Sequence, residues 1–158
     1  MTFIHETLYG LFRDPYKALK AAGLKSNRKV LEVGCGPGFF TIPAAKIVGE
    51  KGIVCAIDIN PMAIISVQQK IKKENITNVK TLLANAAKIE LPDQSFDLIF
   101  LFGLTRPIGN MEKIWIELHR LLVSNGILSI EGRLKPPTEL FKYKMRQRRI
   151  SQYIKNVL

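Results

Sequence analysis

A short apolar run that ends in glycines at alternate positions constrains this chain more than any other segment. It reads Lys29-Val30-Leu31-Glu32-Val33 and continues as Gly34-Cys35-Gly36-Pro37-Gly38. Its length, apolar character and glycine boundary predict a buried strand. Alternate glycines let the backbone turn tightly and approach a ligand closely. A helix is expected from Phe39 to Val48, with Pro43 tolerated near its first turn. The N-terminus of that helix adds free N–H groups. A dinucleotide fingerprint would place its third glycine three residues after the second, at position 39. Position 39 is Phe and the third glycine is Gly38. The loop is thus GxGxG, which disfavours nicotinamide binding. Glu32 beside it suits an ammonium group better than a phosphate.

The same alternation of periods continues downstream. Strands are expected at Gly52 to Ile57, Val79 to Leu83, Phe96 to Phe102 and Ile127 to Ile130. Pro61 to Lys73 is expected to be helical, with Asn60 as N-cap and Pro61 at the first position. A further helix is expected from Asn110 to Val123, with Ile114, Trp115, Leu118, Leu121 and Leu122 facing inward, before an Asn125-Gly126 turn. Upstream, Ile4 to Ala22 reads as helical and is divided at Pro15, with Asp14 capping the second part and Gly23 as the stop. Strands and helices in this order imply βαβ units and a parallel sheet covered on both faces. Such sheets bind ligands beyond the carboxyl ends of their strands.

The strand ends carry the candidate residues. Asp58 ends the second strand, where a carboxylate can accept from both hydroxyls of a ribose. Its plainer role is a negative charge at the start of the next helix. Asn85 follows the third strand and could pair with an adenine edge, or serve only as a turn residue.

Four segments taken together, VLEVGCGPGFFTIPAA, VCAIDINP, ANAAKIELPDQSFDLIF and ELHRLLVSNGILSI, resemble the class I S-adenosylmethionine-dependent methyltransferases. The resemblance runs from about Arg28 to Glu131. It implies a Rossmann-like α/β/α sandwich with a mostly parallel sheet. It also implies that Glu32 and the loop of Gly34, Cys35, Gly36 and Gly38 hold the methionine part of the cofactor. Asp58 would bind the ribose and Ile59 would pack on the adenine. Asn85 stands where the family commonly has an aspartate, with Ala86 beside it. Phe102 and Gly103 would lie near the methyl group. The cofactor implied is S-adenosyl-L-methionine, with no metal.

Other features limit the chemistry. The loop Phe102-Gly103-Leu104-Thr105-Arg106-Pro107-Ile108 lacks the proline-rich box that resembles amino-methylating enzymes of nucleic acids, and there is no Pro-Cys nucleophile. Cys35 and Cys55 read as packing residues and cannot make a disulfide framework. His5 and His119 are weak candidates for a base; His119 reads as part of a solvated helix face, and Trp115 as core. No catalytic residue can be assigned.

Length and charge complete the reading. The 158 residues suit a single methyltransferase-like domain: an N-terminal segment 1–27, a cofactor-binding core 28–131 and a C-terminal segment 132–158. The full fold of the family has seven strands, the last two forming a hairpin. Leu140, Tyr143, Ile150, Tyr153, Ile154 and Val157 lie at near-helical spacing, so 139–158 is expected to be one amphipathic helix. The sheet would then stop at five strands, with an open edge. The terminal helix, a partner chain or truncation would account for that edge, and a homodimer is the favoured arrangement. The net charge of +11 has its densest cations here: eight Lys and Arg against one Glu from Arg133 onward. Such a stretch can bind RNA through phosphates, although a solvated face is the simpler reading. No apolar run is long enough to span a membrane and no signal peptide is apparent, so a cytoplasmic location is expected. The leading function is methyl transfer to an unidentified acceptor, a small molecule being favoured. The alternatives are a noncatalytic cofactor-binding subunit and an RNA-binding methyltransferase.

Overall fold

The computed structural model describes residues 14–104 and 107–158. The expected helix before Asp14, including His5, lies outside the described residues, as do Thr105 and Arg106. Helix α1 spans Pro15–Ala21, β1 Lys29–Val33, α2 Thr41–Val48 and β2 Ile53–Asp58. Helix α3 spans Pro61–Lys73, β3 Val79–Leu83, β4 Phe96–Leu101 and α4 Met111–Leu121. Strand β5 spans Leu122–Glu131, β6 Phe141–Gln147 and β7 Ile150–Lys155.

The helix starts are set by local chemistry. The Asp14 side chain accepts from the Tyr16 and Lys17 N–H groups, and Pro15 follows at the first helical position. Asn60 caps α3 in the same way through the Met62 N–H, again with a proline next. Pro43 sits at the third position of α2, where its missing N–H removes no bond within the helix.

The seven strands form one sheet in the order β3-β2-β1-β4-β5-β7-β6. Strands β1 to β5 are parallel, and β7 and β6 run antiparallel to them as a hairpin. Alternate residues of each central strand serve opposite faces. Val30, Val54, Leu98 and Phe100 pack with Ala18 and Leu19 of α1 and Ala44, Ala45 and Val48 of α2. Leu31, Val33, Ile57, Ile99 and Leu101 pack with Ile114, Trp115, Leu118 and Leu121 of α4. The result is a three-layer α/β/α sandwich. Chain direction along the sheet reverses between β1 and β4, which opens a crevice at their carboxyl ends.

The C-terminal expectation is corrected. Residues 139–158 do not form a helix, and the sheet has seven strands, not five. No helix intervenes between β5 and β6, so the 27 residues after Glu131 suffice for the hairpin. Its side-chain pattern does not show strand alternation because β7 is buried almost throughout, including the polar Ser151 and Gln152. Gln152 is stabilised there by donating to the Ala21 carbonyl at 2.8 Å, and the neighbouring Ser129 donates to the Ala22 carbonyl at 2.5 Å. The hairpin turn is Arg148-Arg149, without the glycine or asparagine that signals such a turn. The β5 edge that suggested a dimer is occupied by β7. The edge on this side of the sheet is instead β6, where Lys142, Lys144 and Arg146 discourage strand pairing.

Two smaller corrections concern α4 and β5. The helix ends at Leu121, and Leu122 and Val123 already belong to β5. The expected Asn125-Gly126 turn becomes an irregularity within β5, with Asn125 at φ +60° and a register shift against β4. His119 is half-buried rather than solvated. Its Nε2 lies 2.9 Å from the Asn156 carbonyl, and its ring packs edge-on against Phe141. Among the described residues, no helix is long and apolar enough to cross a membrane.

Candidate functional site

The carboxyl ends of β1 and β2 are joined through the glycine loop. Gly34 and Cys35 donate their N–H groups to the Ile57 carbonyl at 2.9 and 3.0 Å. Gly36 donates to Asp58 Oδ2 at 2.9 Å, and Asn60 donates to Asp58 Oδ1 at 2.9 Å. One N–H on each carboxylate oxygen fixes the direction of Asp58 and leaves each oxygen with further acceptor capacity. The loop needs glycine at two positions for separate reasons. At Gly38, φ is +88° and an added Cβ would lie 3.0 Å from Val67 Cγ2. At Gly34, φ is +74° and an added Cβ would press on Leu104 at 3.3 Å.

Glu32 lies beneath this loop and is 2% exposed. It is the one buried carboxyl among the described residues. Thr41, the first residue of α2, donates its hydroxyl to Glu32 Oε2 at 2.5 Å. Burial pushes the Glu32 carboxyl up to about 8; the Thr41 hydroxyl opposes the rise and the nearby Asp58 adds to it. The Glu32 carboxyl is thus held neutral below about pH 8.

Apolar surface flanks Asp58. Ile59 is 73% exposed and Leu83, the register partner of Asp58 at the end of β3, is 54% exposed. Asn85 is exposed, and its side-chain oxygen accepts from the Ala87 N–H at 2.9 Å. That bond makes it a turn residue first, with its amide still at the end of β3. Ala86 is buried in the core beside it. At the end of β4, Phe102 is buried against Phe40 and Phe100, with ring centroids 5.0 and 4.9 Å apart. Gly103 donates to Glu131 Oε2 at 3.0 Å and so joins the ends of β4 and β5.

All the sequence-derived candidates therefore lie at the carboxyl edge of the sheet. Gly36 and Asp58 are joined directly by a hydrogen bond, and Glu32 is held by Thr41; Phe102 contributes more to packing than to open surface. Two residues escaped the sequence reading. Thr41 carried no signal beyond a hydroxyl at a helix start, and Glu131 was the acidic end of an apolar run. The cysteines are not poised as nucleophiles. Burial raises both thiols, Cys55 to about 11 and Cys35 further still, aided by the Glu32 and Asp58 carboxylates.

A nucleoside bearing an amino acid fits these groups. Asp58 offers acceptors for two hydroxyls, Ile59 and Leu83 offer an apolar wall, and Glu32 offers a buried partner for an ammonium.

Comparison with known proteins gives the family. The family described as "Methyltransferase domain" matches residues 24–150. The demethylmenaquinone methyltransferase of Geobacillus stearothermophilus is 32% identical over 110 residues, which is 69% of this chain and 47% of that protein. A ubiquinone/menaquinone biosynthesis C-methyltransferase of Marinomonas sp. (strain MWYL1) is 32% identical over 124 residues, 77% of this chain and 49% of that protein. The chain spans about half the length of these curated relatives. A crystal structure of a SAM-dependent methyltransferase from Aquifex aeolicus superposes with a TM-score of 0.77 at 29% identity, covering 93% of this chain and 90% of the other.

Proposed function

We propose that this chain, which belongs to the class I S-adenosylmethionine-dependent methyltransferase family, transfers a methyl group to a small organic acceptor. The bond from the Gly36 N–H to Asp58 carries this reading, because it locks the glycine loop to a carboxylate oriented for hydroxyl groups. When bound, S-adenosylmethionine supplies a sulfonium methyl that a nucleophile displaces in line. The chain's own residues would bind, orient and exclude water. Asp58 would hold the ribose, with Ile59 and Leu83 against the base and Asn85 at its edge. Gly34, Cys35, Gly36 and Gly38 would pass their backbone beneath the amino-acid part. Glu32 would give up its proton as an ammonium settles nearby. Phe102 and Gly103 would border the methyl at the β4 end.

The names of the relatives favour a quinone-type ring as acceptor. An RNA acceptor has its support in the exposed cations of β6. The test is transfer of isotopic label from methyl-labelled S-adenosylmethionine to a panel containing a short-tailed demethylmenaquinone, unrelated phenols and RNA. Label in a small product, suppressed by S-adenosylhomocysteine, supports the reading. Label confined to RNA, or no transfer by protein that binds the cofactor, overturns it.

A further inference from the structure

Beyond the cofactor residues, one corner of the same sheet edge concentrates positive charge. Strand β5 ends at Glu131, whose register partner is Ile150, the first residue of β7. The β6–β7 turn, Arg148-Arg149, therefore lies at the carboxyl end of the parallel strands, where the candidate site is. Gly132 donates its N–H to the Arg149 carbonyl at 3.0 Å, which sets Arg133 beside the turn. Arg146 reaches the same place, with Nε donating to the Arg148 carbonyl at 3.3 Å. Arg133, Arg146, Arg148 and Arg149 are all exposed. Among the described residues, none of the four forms an ion pair. The acidic residue of this corner, Glu131, accepts from Gly103.

The backbone adds a second argument. Arg148 stands at φ +58°, a conformation in which an L side chain is disfavoured and glycine or asparagine is usual. Arginine at that position places a guanidinium at the tip of the turn, where it adds to the repulsion among its neighbours. An anion relieves that repulsion and can accept paired N–H groups from a guanidinium.

Placement then assigns the anion. The residues proposed for the cofactor occupy the ends of β1, β2 and β3, with Phe102 and Gly103 bordering the methyl at the end of β4. The acceptor is left the ends of β4, β5 and β7. Strands are spaced about 4.8 Å apart, so the turn lies about 10 Å from the end of β4. We propose that the arginines of this corner recognise a carboxylate or phosphate on the acceptor, about two strand spacings from the atom that receives the methyl. Arg148 and Arg149 are then specificity-determining residues. The inference rests on the methyltransferase reading and adds a carboxylate or phosphate substituent to the ring acceptor proposed there.

The probe is inorganic pyrophosphate, titrated into the full chain by calorimetry at low salt. Two double variants are compared: Arg148→Asn with Arg149→Gln in the turn, and Lys142→Gln with Lys144→Gln farther along β6. Pyrophosphate affinity should fall about fivefold or more in the turn variant, as expected for losing charge-assisted bonds, and stay unchanged in the lysine variant. S-adenosylhomocysteine affinity and thermal unfolding should match the parent in both, which shows that the fold is intact. Equal losses in the two variants, or none in either, overturn the proposal. So does a single-stranded polyuridine that binds far more tightly than pyrophosphate and loses affinity in both variants, because the strand would then be a polymer surface. Failure of the parent to bind S-adenosylhomocysteine would instead strike the methyltransferase reading, so the two failures are distinguishable.

Discussion

Replacing Glu32 by glutamine removes a titrating group from the site while keeping an acceptor for the Thr41 hydroxyl. The folded carboxyl titrates near 8 because it is buried, against an ordinary value of 4.5. Between these values the folded protein retains a proton that the unfolded chain has released. Stability from this group is therefore fully present below 4.5 and is lost as pH rises through about 8. The slope is about 1.4 kcal/mol per pH unit. From pH 5.5 to 7.5, the parent should lose about 2.5 kcal/mol that Glu32→Gln does not lose. Urea unfolding without cofactor measures the difference, since other groups titrate alike in both proteins. A second readout uses binding of S-adenosylhomocysteine at pH 7 in buffers of different ionisation enthalpy. The parent should release up to about one proton as an ammonium favours ionised Glu32, and the variant none. Parallel stability curves for parent and variant would refute the assignment of a neutral buried Glu32.

Other consequences follow from single contacts. Gly38→Ala puts a Cβ 3.0 Å from Val67 at φ +88° and should cost about 2 kcal/mol; an unchanged melting temperature would contradict the loop geometry. Gln152→Leu removes the donor to the Ala21 carbonyl and should cost about 1–3 kcal/mol, measured by urea unfolding. A near-zero change would mean that β7 does not dock on α1 as described. Replacing Lys142, Lys144 and Arg146 by threonine should leave the fold intact but promote self-association along β6. Unchanged light scattering over a concentration series would count against β6 as the exposed edge.

The fold was legible where one physical rule dominated. The β1 run, the glycine loop and the proline-led caps at Asp14 and Asn60 each combine local propensity with a burial pattern that points the same way. Glu32 and Asp58 could be found because acidic residues at strand ends stand out against apolar runs. The hairpin was not legible. Buried Gln152 depends on the Ala21 carbonyl of α1, 131 residues away, and no local pattern encodes such a bond. The turn at Arg148 adopts positive φ without the usual residue, and the cations of β6 mimic the polar face of a helix. Thr41 was silent for a similar reason, since its partner lies across the loop on β1.

Calorimetric titration of S-adenosylhomocysteine into the full chain and its Asp58→Ala variant tests the central claim most directly. The parent should bind with a dissociation constant in the micromolar range, about −7 to −8 kcal/mol. The variant should bind about 10- to 100-fold more weakly, as expected for loss of hydrogen bonds to a charged acceptor. Absence of binding by folded parent protein at high micromolar ligand, or equal affinity in parent and variant, would contradict the account.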